Sequence, residues 1–355
     1  MEVNRYYSSI FMLYIPYLLY YSHMFSKKFD IIAIGDTVTD AFIRLKEARV
    51  NCNIDNTSCQ ICMKFGDKIP FESSTVVAGV GNSANAAVSA GRLGLKTALV
   101  TDLGHDRYAD EAIQALEKSN VDTTHVRKHK NMKTNYHYVL WYGSERTILV
   151  NHEEYPYTLP RFSKNPSWVY LSSLGANSYE YHLSITKWLE ANPDIKLVFQ
   201  PGTFQMSLGL EKLKDLYKRT NLFFCNREEA QRILGIEEPD IKKLMARMRE
   251  QGPKIVVITD GPDGAYAFDG DKAYFMPTYP DPKEPLERTG AGDAFSSTFA
   301  AAIVKGKTLE EALIWGPVNS ASVVQDIGAQ KGLLTEAQLK EWLAKAPVDY
   351  KPRLI

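Results

Sequence analysis

Six short apolar bursts recur along the chain: FDIIAIG (29–35), LKTALVTD (95–102), SWVYLSS (167–173), IKLVFQPG (195–202), NLFFCN (221–226) and KIVVITDG (254–261). Each is rich in β-branched or aromatic residues and closes on Gly, Asp, Asn or Ser, the form of a strand covered on both faces. Helical patterns lie between them. Ala109, Ala112, Ile113 and Leu116 recur at i, i+3, i+4 and i+7. In TLEEALIW, Thr308 and Glu311 stand at the spacing of a capping box. The alternation predicts a three-layer α/β/α fold with a mainly parallel central sheet and helices on both faces.

Two stretches break the rhythm. Residues 42–78 lack a helical period and carry three cysteines, and residues 132–158 contain NYHYVLWYGSERTILVN. The latter reads as a hairpin, two aromatic and β-branched runs around Gly143-Ser144. Two strand-rich insertions are expected to form a small sheet at the strand ends, where open α/β sheets bind ligands and where a lid excludes water. Ahead of the first burst, Ile10 to Tyr21 is apolar apart from Pro16. Twelve helical residues span only ~18 Å against ~30 Å of hydrocarbon, so no stable membrane insertion is expected. Residues 1–28 are read as an N-terminal extension outside the fold, with Met24 as the start of the protein proper and a peripheral membrane anchor as the alternative. The single folded domain then covers residues 29–355.

The chain has 355 residues, 45% hydrophobic and 24% charged, with 42 basic and 42 acidic side chains that cancel. Such a composition excludes a disordered, collagenous or coiled-coil chain. A neutral chain has no global attraction for a phosphate polymer, so no nucleic-acid partner is expected. Four cysteines are too few for a disulfide scaffold, and a cytoplasmic location is the expectation. Cys52, Cys59 and Cys62 follow a C-x6-C-x2-C pattern. That is an incomplete zinc set, even if Asp55 or Cys225 joined it, and reduced thiols are expected.

Two segments carry candidate chemistry. In VVAGVGNSANAAVSAGRLG, Gly79, Gly81 and Ala84 match G-x-G-x-x-A, and Asp102 follows 23 residues after Gly79. This satisfies a dinucleotide fingerprint, and an NAD-dependent oxidoreductase is one reading; tight helix–sheet packing is the other. Asn82 and Asn85 in the same segment both donate and accept, which suits sugar hydroxyls better than a pyrophosphate. In ERTGAGDAFSSTFAAAIVKG (287–306), Gly290-Ala291-Gly292 brings backbone N–H groups into one concavity ahead of a helix, a site for a phosphate or oxyanion. Asp293 in the first helical turn is either a dipole partner or a general base beside that site. No Lys follows the glycines, so this is not a P-loop.

RTGAGDAF closely resembles the C-terminal signature of the ribokinase-like (PfkB) carbohydrate kinases. IAIGDTVTD (32–40), VGNSANAAVSAGRLG, TDLGHDRYADEAIQAL, NREE (226–229), VVITDGPDGA (256–265) and NSASVVQDIGAQKGLLT (319–335) resemble further segments of that family in the right order, over about residues 29–340. The resemblance implies a ribokinase-like fold and an ATP- and Mg²⁺-dependent kinase of a small sugar or sugar derivative, with a nucleoside as second acceptor class and a homodimer through the lid. It makes Asp293 the base and the backbone amides of Gly290, Ala291, Gly292 and Asp293 the cradle of the phosphoryl group. It assigns Asp40, Gly81, Asn82 and Asn85 to the acceptor. Thr259, Gly261, Thr289, Asn319 and Gly328 go to the nucleotide, and Asn226 and Glu229 to Mg²⁺, largely through water. Such a site is physically coherent, since phosphoryl transfer needs positioning, charge neutralisation and a base on the nucleophile. Val38 and Val80 depart from the family pattern. So does Glu287-Arg288, which stands in place of Asp-Thr. In some members that Asp belongs to a monovalent-cation site, and potassium dependence stays open.

Overall fold

The computed structural model describes residues 28–53, 59–143 and 145–355. The readings of the N-terminal extension lie outside these residues. In chain order the elements open with β1 (Ile31–Ile34), β2 (Val38–Leu45), β3 (Arg49–Cys52), β4 (Cys59–Cys62), β5 (Phe71–Val80), α1 (Asn82–Arg92), β6 (Thr97–Gly104) and α2 (Arg107–Lys118). Then come β7 (Val121–Asp122), β8 (Val126–His129), β9 (Asn135–Tyr142), β10 (Glu145–Leu149), β11 (Trp168–Leu171), α3 (Tyr179–Ala191), β12 (Lys196–Phe199), α4 (Thr203–Leu208) and α5 (Leu210–Arg219). The chain closes with β13 (Leu222–Asn226), α6 (Arg227–Leu234), α7 (Ile241–Glu250), β14 (Ile255–Thr259), β15 (Ala265–Phe268), β16 (Ala273–Met276), α8 (Ala291–Val304), α9 (Leu309–Val323), α10 (Glu336–Leu343) and β17 (Arg353–Leu354).

All six apolar bursts are strands of one sheet, β14-β13-β12-β11-β1-β6 from one side to the other, and every pair among them is parallel. β7 and β8 extend it in parallel beyond β6; β15, β16 and β17 extend it in antiparallel beyond β14. Alternation along β1 shows why the strands are apolar throughout. Ile31 and Ala33 enter one core with Phe295, Phe299 and Leu313 of α8 and α9; Ile32 and Ile34 enter the other with Ile185, Leu213 and Leu244 of α3, α5 and α7. The sheet is therefore the middle of three layers. The helical patterns hold as read: Ala109, Ala112 and Leu116 are fully buried, and Thr308 and Glu311 form a reciprocal capping box.

A second sheet, β10-β9-β2-β5, is built from the two strand-rich stretches. β9 and β10 pair as a hairpin with Tyr142 opposite Glu145. β2 pairs antiparallel with β5 and parallel with β9. The strands start earlier and end later than the irregular stretch 42–78, because β2 begins at Val38, directly after β1, and β5 runs to Val80, directly before α1. β3 and β4 make a separate, solvent-exposed two-stranded hairpin. Its register sets Cys52 opposite Cys59, and the two are joined in a disulfide. This corrects the expectation of reduced thiols: spacing along the chain hides the cross-strand pairing that brings these two together. Cys62 and Cys225 are free. Among the described residues no helix is long and apolar enough to cross a membrane.

Candidate active site

Asp293 is the third residue of α8. The helix starts after Gly290, which has φ 80° and sits where an added Cβ would come within 2.3 Å of Ala329 Cβ. Only glycine satisfies both the left-handed backbone and that close approach. The turn leaves the first helical amides without intrahelical acceptors at the positive end of the dipole. Behind it, buried Glu287 accepts from the amides of Thr289 (2.7 Å) and Gly328 (2.8 Å), one on each carboxylate oxygen.

Three side-chain amides hold the Asp293 carboxylate. Asn82 and Gln200 donate to Oδ1 at 2.9 and 3.1 Å, and Asn85 donates to Oδ2 at 2.8 Å. Each amide is oriented by its own oxygen. Asn82 Oδ1 accepts from Ser173, Asn85 Oδ1 from Gln330, and Gln200 Oε1 from Tyr170 at 2.5 Å. Burial pushes the Asp293 pKa up; Asn85, Gln200, Asn82 and the charge of Arg146 pull it back in part. A carboxylate so placed is ionisable, fixed in direction, and more basic than an exposed one.

Two cavities meet at this point. The larger, about 670 Å³, lies under the small sheet and is lined by Asp293, Asp40, Gly81, Asn82, Asn85, Thr289 and Gly290. The smaller, about 320 Å³, is lined by Gly261, Tyr279, Phe295, Pro317 and Ser320. Thr259, Arg288 and Gly292 line both. The segment 288–293 thus separates two chambers and faces each.

Most residues singled out from the sequence are here. Asn226 and Glu229 line the larger cavity, and their N-x-x-E spacing is a capping box: Asn226 Oδ1 accepts from the Glu229 amide and Glu229 Oε2 from the Asn226 amide, both at 2.8 Å. Burial, ahead of all other causes, raises the Glu229 pKa. Asn319 lines neither cavity. It is fully buried, its amide donates to Thr298 at 2.7 Å and its oxygen accepts from the Leu334 amide at 2.9 Å, so it ties α9 to its surroundings while its neighbours Ser320 and Ala321 face the smaller cavity. Gly328 lines neither cavity and packs near Val77 and Phe42, leaving Ala329 at the wall of the larger one.

The sequence reading missed Gln200, Arg146, Asp36, His137 and His152, all at the wall of the larger cavity. Gln200 directly follows β12 and Asp36 stands two positions after β1, so each had a signal at the carboxyl end of a parallel strand. Arg146 and His137 come from the small sheet and His152 from the segment after β10, and all three reach the site only through tertiary packing. Asp36 is buried and receives the Tyr157 hydroxyl on both oxygens at 2.9 and 3.0 Å, and burial raises its pKa.

The glycines of the dinucleotide fingerprint serve packing. A Cβ on Gly79 would come within 2.9 Å of the Ala112 carbonyl oxygen, and one on Gly81 within 2.7 Å of that of Asp36. Asp102, the supposed ribose acid, is buried and bound by Arg127 at 2.8 Å and His129 at 2.6 Å. The oxidoreductase reading falls with them.

Over 334 residues the chain is 26% identical to an ATP-dependent 6-phosphofructokinase of Thermoanaerobacterium thermosaccharolyticum, covering 85% of this chain and 90% of that one. It is 25% identical over 289 residues to a ribokinase of Bacillus subtilis, covering 79% and 92%. The fold is similar to that of Arabidopsis thaliana ribokinase complexed with ribose and ATP, with a TM-score of 0.75 at 20% identity over 89% of this chain and 99% of the other. Methanocaldococcus jannaschii nucleoside kinase, an archaeal member of the ribokinase family, gives 0.73 at 21% identity over 90% and 100%. Residues 51–336 match the profile of the pfkB family carbohydrate kinases. With that match and this fold, the chain belongs to the pfkB family of carbohydrate kinases, phosphotransferases whose acceptor is an alcohol group.

Proposed function

We propose that the protein transfers the γ-phosphoryl group of ATP to a hydroxyl of a small sugar or sugar derivative. The observation that carries this reading is the Asp293 carboxylate, aimed by three anchored amides at the junction of the two cavities. The smaller cavity takes the nucleotide and the larger the acceptor. Asp293 accepts the proton of the attacking hydroxyl, so that the nucleophile forms as its bond to phosphorus does. The amides at 290–293 receive the charge spreading over the transferring group. Arg288 faces both chambers and adds a positive charge on that line.

Mg²⁺ supplies charge neutralisation on the phosphates when bound. Asn226 and Glu229 fit that role through water. Glu229 Oε2 is used by the cap, which leaves Oε1 free of that bond at the cavity wall. A single carboxylate suits a cation that keeps most of its water shell. Both oxygens of Glu287 are taken by backbone amides, so the residue standing at the monovalent-cation position of some members is already satisfied.

A nucleoside acceptor is favoured by the apolar side of the same cavity, where Val38, Ile148, Val150, Leu174 and Phe204 make a wall for a planar base. The outer face of the small sheet carries Val76 and Tyr138, each about half exposed and adjacent in the chain to the inward strand neighbours Val77 and His137. Pairing of two copies through this face is the assembly we expect, and light scattering on the purified chain tests it.

Asp293→Asn tests the function. Asn keeps the size and removes the base, so kcat with an acceptor found in a sugar and nucleoside screen should fall by about 10²–10⁴-fold, with ATP affinity within a few-fold. Near-normal turnover in a folded variant would refute the assignment.

A further inference from the structure

Tyr170 lies on β11, beside Ala33 of β1 and Val198 of β12, and its ring enters the core that holds Phe224, Phe295 and Phe299. It is 1% exposed and lines neither cavity. A phenylalanine would fill the same space among these phenylalanines, so the hydroxyl needs its own account. A buried phenol O–H ordinarily finds a partner. Here the hydroxyl donates to Gln200 Oε1 at 2.5 Å. Ser296 Oγ, one turn of α8 beyond Asp293, lies 2.9 Å from the same hydroxyl.

Gln200 is held along its whole length. Its backbone N–H donates to the Leu171 carbonyl oxygen at 3.0 Å, its Oε1 accepts from Tyr170, and its Nε2 donates to Asp293 Oδ1 at 3.1 Å. The amide turned over would set its oxygen against the carboxylate and its nitrogen toward the phenol. The ionised base and the phenol O–H therefore select the same orientation. Burial, with the Asp293 charge behind it, pushes the Tyr170 pKa up, so the phenol keeps the proton that it donates.

The result is an asymmetry at the base. Asp293 Oδ1 takes the amides of Asn82 and Gln200, whereas Oδ2 takes Asn85 alone among the described residues. A carboxylate oxygen has two lone-pair directions. Oδ1 is thus filled, and Oδ2 keeps one direction open. We infer that Tyr170 is a positioning residue of the phosphoryl transfer, acting through Gln200: it keeps Oδ1 occupied and so leaves Oδ2 as the oxygen that takes the acceptor's proton. In that step the acceptor oxygen bonds to the γ-phosphorus, the bond from phosphorus to ADP breaks, and the hydroxyl proton passes to Oδ2. The inference rests on the kinase reading and deepens it.

Tyr170→Phe keeps the ring in its core and removes the hydroxyl alone; Gln200→Leu removes the link to the base. Both variants are made in the full chain and read first by ¹³C NMR titration of the aspartate carboxyl carbons. The Asp293 resonance is the one missing from Asp293→Asn, and no acceptor is needed. Weaker donation to the ionised form should move the Asp293 titration to higher pH by about half a unit or more in Tyr170→Phe, and at least as far in Gln200→Leu. Tyr170→Phe added to Gln200→Leu should shift it no further. With an acceptor found by ADP release in a sugar and nucleoside screen, Tyr170→Phe should lower kcat by about 10-fold or more and leave both KM values within about threefold. An unchanged Asp293 titration in either single variant overturns the inference. So does a Tyr170→Phe shift that persists undiminished without Gln200, an unchanged kcat, or a lowered melting temperature with neither effect. If the parent chain turns over none of the acceptors, the kinase reading fails for them, and the titrations by themselves decide whether Tyr170 acts on Asp293 through Gln200.

Discussion

Asn82 and Asp293 stand 211 positions apart in the chain, and the Asn82 amide donates to Asp293 Oδ1 at 2.9 Å. Asn82 opens α1 and Asp293 lies in the first turn of α8, so the bond joins the positive ends of two helices at one carboxylate. Asn82→Ala removes a donor that favours the ionised form. The acid limb of the kcat/KM profile should therefore move to higher pH, and the plateau should drop by roughly 10–100-fold through loss of aim. A pH–rate series on both proteins reads the two effects separately.

Gly290 and Gly292 should respond differently to the same change. Gly290→Ala forces a side chain into a left-handed turn and against Ala329, and should destabilise the fold by about 2–4 kcal/mol in urea unfolding. A Cβ on Gly292 meets nothing within 4 Å and enters the space shared by the two cavities. Gly292→Ala should keep the urea midpoint and lose most of the activity.

His182 is buried, its Nδ1 is 2.7 Å from the Ser178 carbonyl oxygen, and its Nε2 is 3.0 Å from the Gln205 amide nitrogen. This arrangement suits the neutral ring, with Nδ1 donating and Nε2 accepting, and burial lowers the pKa from 6.5 to about 4. A depressed folded value means that the contribution to stability is complete above the unfolded pKa and is lost as pH falls from 6.5 towards 4. Its size is about 3 kcal/mol over that window. Urea midpoints at pH 7 and pH 5 should differ less in His182→Gln than in the parent.

The disulfide makes a countable forecast. Of the four cysteines, Cys52 and Cys59 are joined. Protein purified without reductant and unfolded in guanidinium should therefore titrate two thiols per chain, and four after reduction. The same preparation should hold well under one zinc, because one thiol of the C-x6-C-x2-C set is left to bind it. Four thiols before reduction, or stoichiometric zinc, would contradict the structure.

The central sheet was legible because parallel strands buried on both faces leave continuous apolar runs, and all six were found. The turn at Gly290 was legible because its residue types are dictated locally. The wall of the larger cavity that carries His137 and His152 was not. His137 and His152 lie in a stretch readable as a hairpin, but what faces what is decided when β9 settles beside β2, a contact between segments about 97 positions apart in the register Asp40 to His137. Asn319 and Gly328 illustrate the converse. Their positions along the chain are close to cavity residues, yet helical phase turns the Asn319 side chain inward, and the Gly328 turn serves Glu287.

That service by Glu287 has a consequence for how the enzyme uses its substrates. One buried carboxylate fastens the strand of backbone before α8 to the loop at 328, on either side of the Gly290 turn. On the proposed reading, the cradle for the phosphoryl group would be preorganised by the protein's own acid, and the affinity that ordering would consume would stay available for holding the nucleotide and acceptor in line.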